Sequence, residues 1–239
     1  MKALILNSGV GRRMGKLTSE HPKCMTELLH GETILSRQLK LLKRYGITDV
    51  VITTGLFDKV LTDYCRSLDL GLNYAFVNNP VYDKTNYIYS IELAKDALEG
   101  EILLMHGDLV FSAEVLKKSI DSAESCMTIS STLPLPEKDF KAVVRNGRIE
   151  KVGIEFFDSA YTAQPLYHLY PEDWRRWLEN ITAFCERGER SCYAENAFNQ
   201  ASDQICIRPL DVKNSLCCEI DTPEDLEVVK TMLEKECEE

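Results

Sequence analysis

Along the first half of the chain, short apolar runs alternate with stretches of helical periodicity. Leu4-Ile5-Leu6 is a compact apolar run of the kind that forms a buried strand. Residues 33–45 carry Ile34, Leu35, Leu39 and Leu42 at helical spacing, and Gly46 supplies the stop. The same alternation predicts strands over 49–54, 72–77, 101–106 and 126–131, with helices over 59–68, 87–98 and 113–123. Strands and helices that alternate through short connections wind with right-handed crossovers, so the expectation is an α/β protein with a largely parallel sheet covered on both faces. Beyond residue 131 the pattern changes. Residues 141–145 and 148–152 flank Asn146-Gly147, a strong hairpin signal, and 171–187 reads as an amphipathic helix with Trp174, Trp177, Leu178, Ile181 and Phe184 on one stripe. Both tryptophans are expected in the core.

In such sheets ligands lie beyond the carboxyl ends of the strands, and the candidate chemistry falls there. After Leu6 come Gly9, Gly11 and Gly15, which let the backbone turn tightly and offer bare N–H groups to an anion. The chain carries a net charge of −10, yet between positions 2 and 23 there are five basic residues (Lys2, Arg12, Arg13, Lys16, Lys23) against one acid, Glu20. A local cationic site in an acidic molecule points to a phosphate-bearing small ligand and away from nucleic acid. Met14 breaks the dinucleotide pattern G-x-G-x-x-G, and Lys16-Leu17 breaks the P-loop. Two apolar runs end in acids: 103–108 closes on Gly107-Asp108, and 217–221 closes on Asp221. A pair of carboxylates at strand ends suits Mg²⁺, a hard cation that takes few protein oxygens and fills its shell with water and phosphate. His106 reads as a strand-end residue, since Mg²⁺ prefers oxygen. Asp221 also precedes Thr222-Pro223-Glu224-Asp225, a capping box that opens a helix, whose acidic end (Glu234, Glu236, Glu238, Glu239) reads as a solvated helix that frays. The nine cysteines include no C-x-x-C pair and read as reduced. The first residues show no leader pattern and no apolar run spans a bilayer, so the expected place is the cytoplasm, without a membrane partner.

The combination G-x-G-x-R at Gly9, Gly11 and Arg13, then Leu17-Thr18, then Pro22-Lys23, resembles the sugar-nucleotide pyrophosphorylase and cytidylyltransferase superfamily. Asn7-Ser8 stands where a pair of alanines is more usual. Gly107-Asp108 and Glu219-Ile220-Asp221-Thr222 match that family's two metal-binding positions. Segment 78–90 looks like the phosphocholine cytidylyltransferase branch, with Tyr87 in place of a second asparagine, and 191–197 resembles that branch's aromatic-acidic acceptor segment. The resemblance implies a three-layer α/β/α Rossmann-like nucleotidyltransferase fold with a mostly parallel mixed sheet and a small hairpin and helical appendage. It implies one domain over 1–239, in which 1–131 and 200–239 form the nucleotide-binding core and about 132–199 the acceptor-binding or lid part. The implied reaction is transfer of CMP from CTP to phosphocholine, 2-aminoethylphosphonate or a similar small zwitterion, with Mg²⁺ and release of pyrophosphate.

The residues so implied are Arg13 and Lys23 as catalytic, Asp108 and Asp221 for the metal, and Lys23, Tyr193, Glu195 and Phe157 for the acceptor. The nucleotide would meet Leu6, Asn7, Ser8, Gly9, Gly11, Arg12, Arg13, Asn79, Thr85, Asn86 and Gly107. A charged phosphate nucleophile needs no general base, only in-line positioning and charge neutralisation. A sugar-1-phosphate uridylyl- or thymidylyltransferase and a nucleotide-binding regulatory module remain as alternatives, and a monomer and a homodimer are equally compatible with the sequence.

Overall fold

A computed structural model describes residues 1–238, with side chains through 236. Glu239 and the side chains of Cys237 and Glu238 lie outside the described part. The first strand, β1 (Lys2–Leu6), is flanked on both sides by parallel neighbours, β2 (Asp49–Thr54) and β4 (Ile102–His106), so that Leu4 stands opposite both Val51 and Leu104. β3 (Asn73–Asn78) adds to β2, again in parallel. On the other side β4 meets β9 (Ala160–Leu169), which runs antiparallel between β4 and β6 (Cys126–Ser130). With β10 (Arg208–Asp211) outside β6, the order is β10-β6-β9-β4-β1-β2-β3.

Alternation along each strand assigns the two faces. Leu4 and Leu6 pack with Ile88 and Ile91 of α3 (Tyr87–Ala94), Trp174, Trp177 and Ile181 of α5 (Pro171–Glu186) and Phe198 of α6 (Ala194–Ala201). Ala3 and Ile5 face the opposite layer, with Leu35, Leu39 and Leu42 of α1 (Ile34–Arg44), Leu61 of α2 (Asp58–Ser67) and Val115 and Leu116 of α4 (Ala113–Ile120). The structure is a three-layer α/β/α fold with a mostly parallel mixed sheet. Both tryptophans are core residues, as their stripe suggested. Their indole N–H groups donate to Leu98 O at 2.7 Å and Ala194 O at 2.9 Å, satisfying the polar edge that burial would otherwise orphan.

A third apolar cluster lies under the glycine loop. There a short antiparallel pair, β5 (Leu109–Phe111) and β11 (Cys217–Glu219), and the last helix, α7 (Pro223–Glu238), bring Val110, Leu226, Val229 and Leu233 against Met14 and Ile34. The hairpin of β7 (Lys141–Arg145) and β8 (Arg148–Gly153) turns through Asn146 (φ 52°) and Gly147 (φ 70°), the left-handed pair that a tight hairpin demands.

The span 132–199 is less of an appendage than the sequence suggested. It contributes β9 to the middle of the main sheet and α5 to its main core; the hairpin, the loop before it and α6 are what stand at the side. Pro165 hides β9 from a pattern reading, because proline removes a ladder donor and argues against an interior strand. Its neighbourhood is a bulge: the β6–β9 register shifts between Met127 and Ile129, and Thr128 Oγ1 donates to Gln164 O at 2.5 Å. Among the described residues no helix is long and apolar enough to cross a membrane.

Candidate active site

The glycine loop is held closely at Gly11, and a second close approach lies at Gly107. Gly11 has φ +62°, and a Cβ there would lie 3.0 Å from Cβ of Lys23. At Gly107 a Cβ would fall 1.7 Å from Asn7 Oδ1, and its N–H donates to Leu6 O at 3.0 Å. The end of β4 thus lies hard against the end of β1. Thr18 Oγ1 closes the loop on itself by donating to Gly11 O at 3.0 Å.

Asp108 sits in the turn between β4 and β5. The buried Gln38 of α1 clamps that turn, its amide donating to His106 O at 2.9 Å and Leu109 O at 2.8 Å. Asp221 follows β11 and precedes α7, whose start is the capping box read from the sequence: Thr222 N–H donates to Asp225 Oδ2 at 2.8 Å, and Asp225 N–H to Thr222 Oγ1 at 3.2 Å. The two acids are tied through the backbone as well, Ile220 N–H donating to Asp108 O at 3.0 Å.

Between them stands Lys23. Its ammonium donates to Asp221 Oδ1 at 2.6 Å and makes a second ion pair with Asp108, while Arg13 reaches Asp221 Oδ2 at 2.8 Å. Burial works against the Lys23 ammonium, but the two carboxylates outweigh it and hold its pKa above the ordinary lysine value. Asp108 is half-buried, and its desolvation alone would raise its pKa; Lys23 and His106 overcome this and keep it below the usual carboxylate range. The Asp108/Asp221 pair is an all-oxygen donor set already converging on one cationic group, so it fits a hard divalent ion.

Two residues away from each of these acids, on the same side of the chain, are a second pair. His106 Nδ1 donates to Glu219 Oε1 at 2.7 Å, and His106 Nε2 is buried with no partner among the described residues. Burial disfavours the imidazolium, yet the neighbouring Glu219 carboxylate raises the His106 pKa to about 9. Burial raises that of Glu219. Sequence reasoning left His106 outside the site and gave Glu219 no role of its own. What groups them is chain position: His106 and Glu219 end β4 and β11, and Asp108 and Asp221 follow two residues later in the connections.

Two adjoining cavities share Leu6, Gly9, Arg13, Asp108 and Asp221 as a common wall. The first is completed by Asn7, Gly11, Arg12, Lys23 and Gly107. The second is completed by Ser8, Asn79, Thr85 and Asn86 on one side, and by Tyr87, Phe140, Tyr193 and Glu219 on the other. All the residues expected at the nucleotide therefore line one cavity or the other. Several also hold the frame: Ser8 Oγ donates to Ser90 Oγ at 2.6 Å, Asn79 Nδ2 to Thr85 Oγ1 at 3.0 Å, and Asn86 caps α3.

Two of the four acceptor residues expected from the sequence stand elsewhere. Glu195 is 1% exposed; the hydroxyls of Tyr87 and Tyr167 both donate to its carboxylate, the latter at 2.9 Å, which uses it up as an internal acceptor. Phe157 is half exposed and lies under the Lys141 ammonium, 4.2 Å from its ring centroid, outside both cavities. The aromatic residues that line the second cavity with Tyr193 are Tyr87 and Phe140. Replacing Glu195 with leucine orphans two buried hydroxyls and is expected to cost about 2–4 kcal/mol in urea unfolding. Unchanged stability would return Glu195 to a substrate role.

Residues 3–201 match the MobA-like NTP transferase domain family, a span that ends before Asp221. The CTP:phosphoglutamine cytidylyltransferase of Campylobacter jejuni is 26% identical over 254 aligned positions, covering 95% of this chain and 98% of that protein. The CMP-5'-(3-aminopropyl)phosphonate synthase of Streptomyces rubellomurinus is 29% identical over 135 positions, covering 56% of this chain and 21% of that longer protein. The solved structure of CTP:phosphocholine cytidylyltransferase from Streptococcus pneumoniae superposes with a TM-score of 0.78 over 97% of this chain and 98% of its own, at 19% identity, a likeness of fold.

Proposed function

The chain belongs to the MobA-like NTP transferase family, and from that premise we propose that it transfers CMP from CTP to a small amine-bearing phosphate or phosphonate, releasing pyrophosphate. The observation that carries this reading is the Lys23 ammonium of the first cavity held between Asp108 and Asp221, the two acids that line both cavities. The cytidylyltransferase named for phosphoglutamine, similar over nearly the whole of both chains, supports CTP as the donor.

The roles follow from charge and place. The acceptor's phosphate is already anionic near neutral pH, its second pKa being about 6, so no general base is needed. What remains is to align it with the α-phosphorus and to neutralise the crowded oxygens. The glycine loop presents its N–H groups to the triphosphate. Arg13 binds the β- and γ-phosphates that leave together, and Lys23 binds the α-phosphate and the acceptor. Asp108 and Asp221 would hold Mg²⁺, which supplies further neutralisation of the phosphates when bound. Glu219, in the second cavity, takes the place of Glu195 as the carboxylate that meets the acceptor's cation.

The test is pyrophosphate release with Mg²⁺, offering CTP, UTP, dTTP, ATP and GTP in turn against phosphocholine, 2-aminoethylphosphonate, phosphoethanolamine and glucose-1-phosphate. Turnover confined to CTP and an amine-bearing acceptor is the expected result. Turnover with UTP or dTTP and the sugar phosphate would overturn the reading.

A further inference from the structure

The second cavity has aromatic rings and a carboxylate, the two devices by which proteins hold ammonium groups, and they select differently. A trimethylated ammonium has no N–H to donate and depends on opposed aromatic faces. A primary ammonium has three donors and is best served by a fixed acceptor atom.

The rings here do not form an open cage. Tyr87, His106, Phe140 and Tyr193 touch in a closed circuit, with neighbouring centroids 5.0, 6.2, 4.9 and 5.8 Å apart. Three of the four contacts are edge to face, at interplanar angles of 61°, 64° and 82°, so the faces that a quaternary ammonium would need are taken up by neighbouring ring edges. The carboxylate, by contrast, is fixed. His106 Nδ1 holds Glu219 Oε1 at 2.7 Å, no described group bonds the other oxygen, and Glu219 lines the cavity. His106 is itself 9% exposed and wedged against Tyr87 and Phe140, so it cannot swing away without breaking the ring circuit.

We propose that His106 is a specificity-determining positioning residue: by pinning Glu219 it makes the cavity select acceptors whose cation bears N–H groups and discriminate against the trimethylated one. This rests on the CMP-transfer reading given above. Desolvation of the half-buried carboxylate is what makes such selection steep, since an acceptor lacking N–H covers the second oxygen of Glu219 and gives it no bond in return.

The test is a graded series with the phosphate kept constant: phosphoethanolamine, its N-methyl and N,N-dimethyl derivatives, and phosphocholine. Wild-type kcat/KM is expected to fall by on the order of 100-fold along the series. His106→Leu is expected to raise KM for phosphoethanolamine about tenfold, with a smaller change in kcat, and to flatten the series. His106→Asn, whose amide N–H takes the position of Nδ1, is expected to restore the slope, which a residue needed only for folding would not do. Calorimetric binding of phosphoethanolamine and phosphocholine to the protein with a non-hydrolysable CTP analogue separates this inference from the reading beneath it. Preferential binding of the primary amine without turnover would uphold the selectivity and sink CMP transfer to these acceptors. Equal or better use of phosphocholine, or a slope untouched by His106→Leu, would overturn the inference while leaving CMP transfer in place. Binding of neither acceptor would overturn it as well.

Discussion

Replacing Lys23 with alanine is expected to lower kcat about 100- to 1000-fold, the loss that follows removal of one preorganised charge from a phosphoryl-transfer site. A second effect is less obvious. Without the ammonium, Asp108 and Asp221 are left facing each other across a half-buried gap, and like charges so placed repel. The variant is therefore expected to melt at a lower temperature than wild type, and millimolar Mg²⁺ should recover more of that difference in the variant than it adds to wild type, because the ion no longer competes with lysine for the same oxygens. Thermal unfolding with and without Mg²⁺, set beside steady-state rates, checks both. An undiminished kcat removes Lys23 from the chemistry, and an equal Mg²⁺ shift in the two proteins removes the competition.

Asp108→Asn is expected to act more strongly on turnover and less on the fold. The amide keeps the volume and one acceptor oxygen, so the clamp by Gln38 and the backbone bond from Ile220, which engage main-chain atoms, survive. What is lost is the charge that would bind Mg²⁺. The expected result is a fall in kcat of about 1000-fold or more, with native circular dichroism and a urea midpoint close to wild type. A Mg²⁺-dependent rate within a fewfold of wild type would rule out Asp108 as a ligand.

How much of this was legible in the sequence follows from how local each signal is. The glycine loop, the hairpin at Asn146-Gly147, the helix opened by Thr222 and Asp225 and the early strands are written in a few adjacent residues, and they lie in the structure where those residues put them. β9 was not legible, because Pro165 contradicts an interior strand and only the bulge in β6, residues away in sequence, makes room for it. Glu195 shows the same limit at the level of one side chain. Beside Tyr193 it has the appearance of a cation ligand; its partners, Tyr87 and Tyr167, come from a helix 108 positions and a strand 28 positions distant. Phe157 was aromatic and near in sequence to the hairpin, but which face of the hairpin an aromatic ends on depends on the loop before it. There the chain placed Phe140 inward and left Phe157 to Lys141.

The packing of α7 under the glycine loop ties the support of the loop to the charge of the site. Met14, inside the loop's own short helical turns, is covered by Leu226, Val229 and Leu233, and the segment that leads into that helix carries Glu219 and Asp221. One continuous segment, β11 through α7, thus braces the glycine loop and carries two of the acids beside it. A chain cut back before β11 would keep its central parallel strands but lose both acids and the cover over Met14, so the charge of the site and the support of its loop stand or fall together.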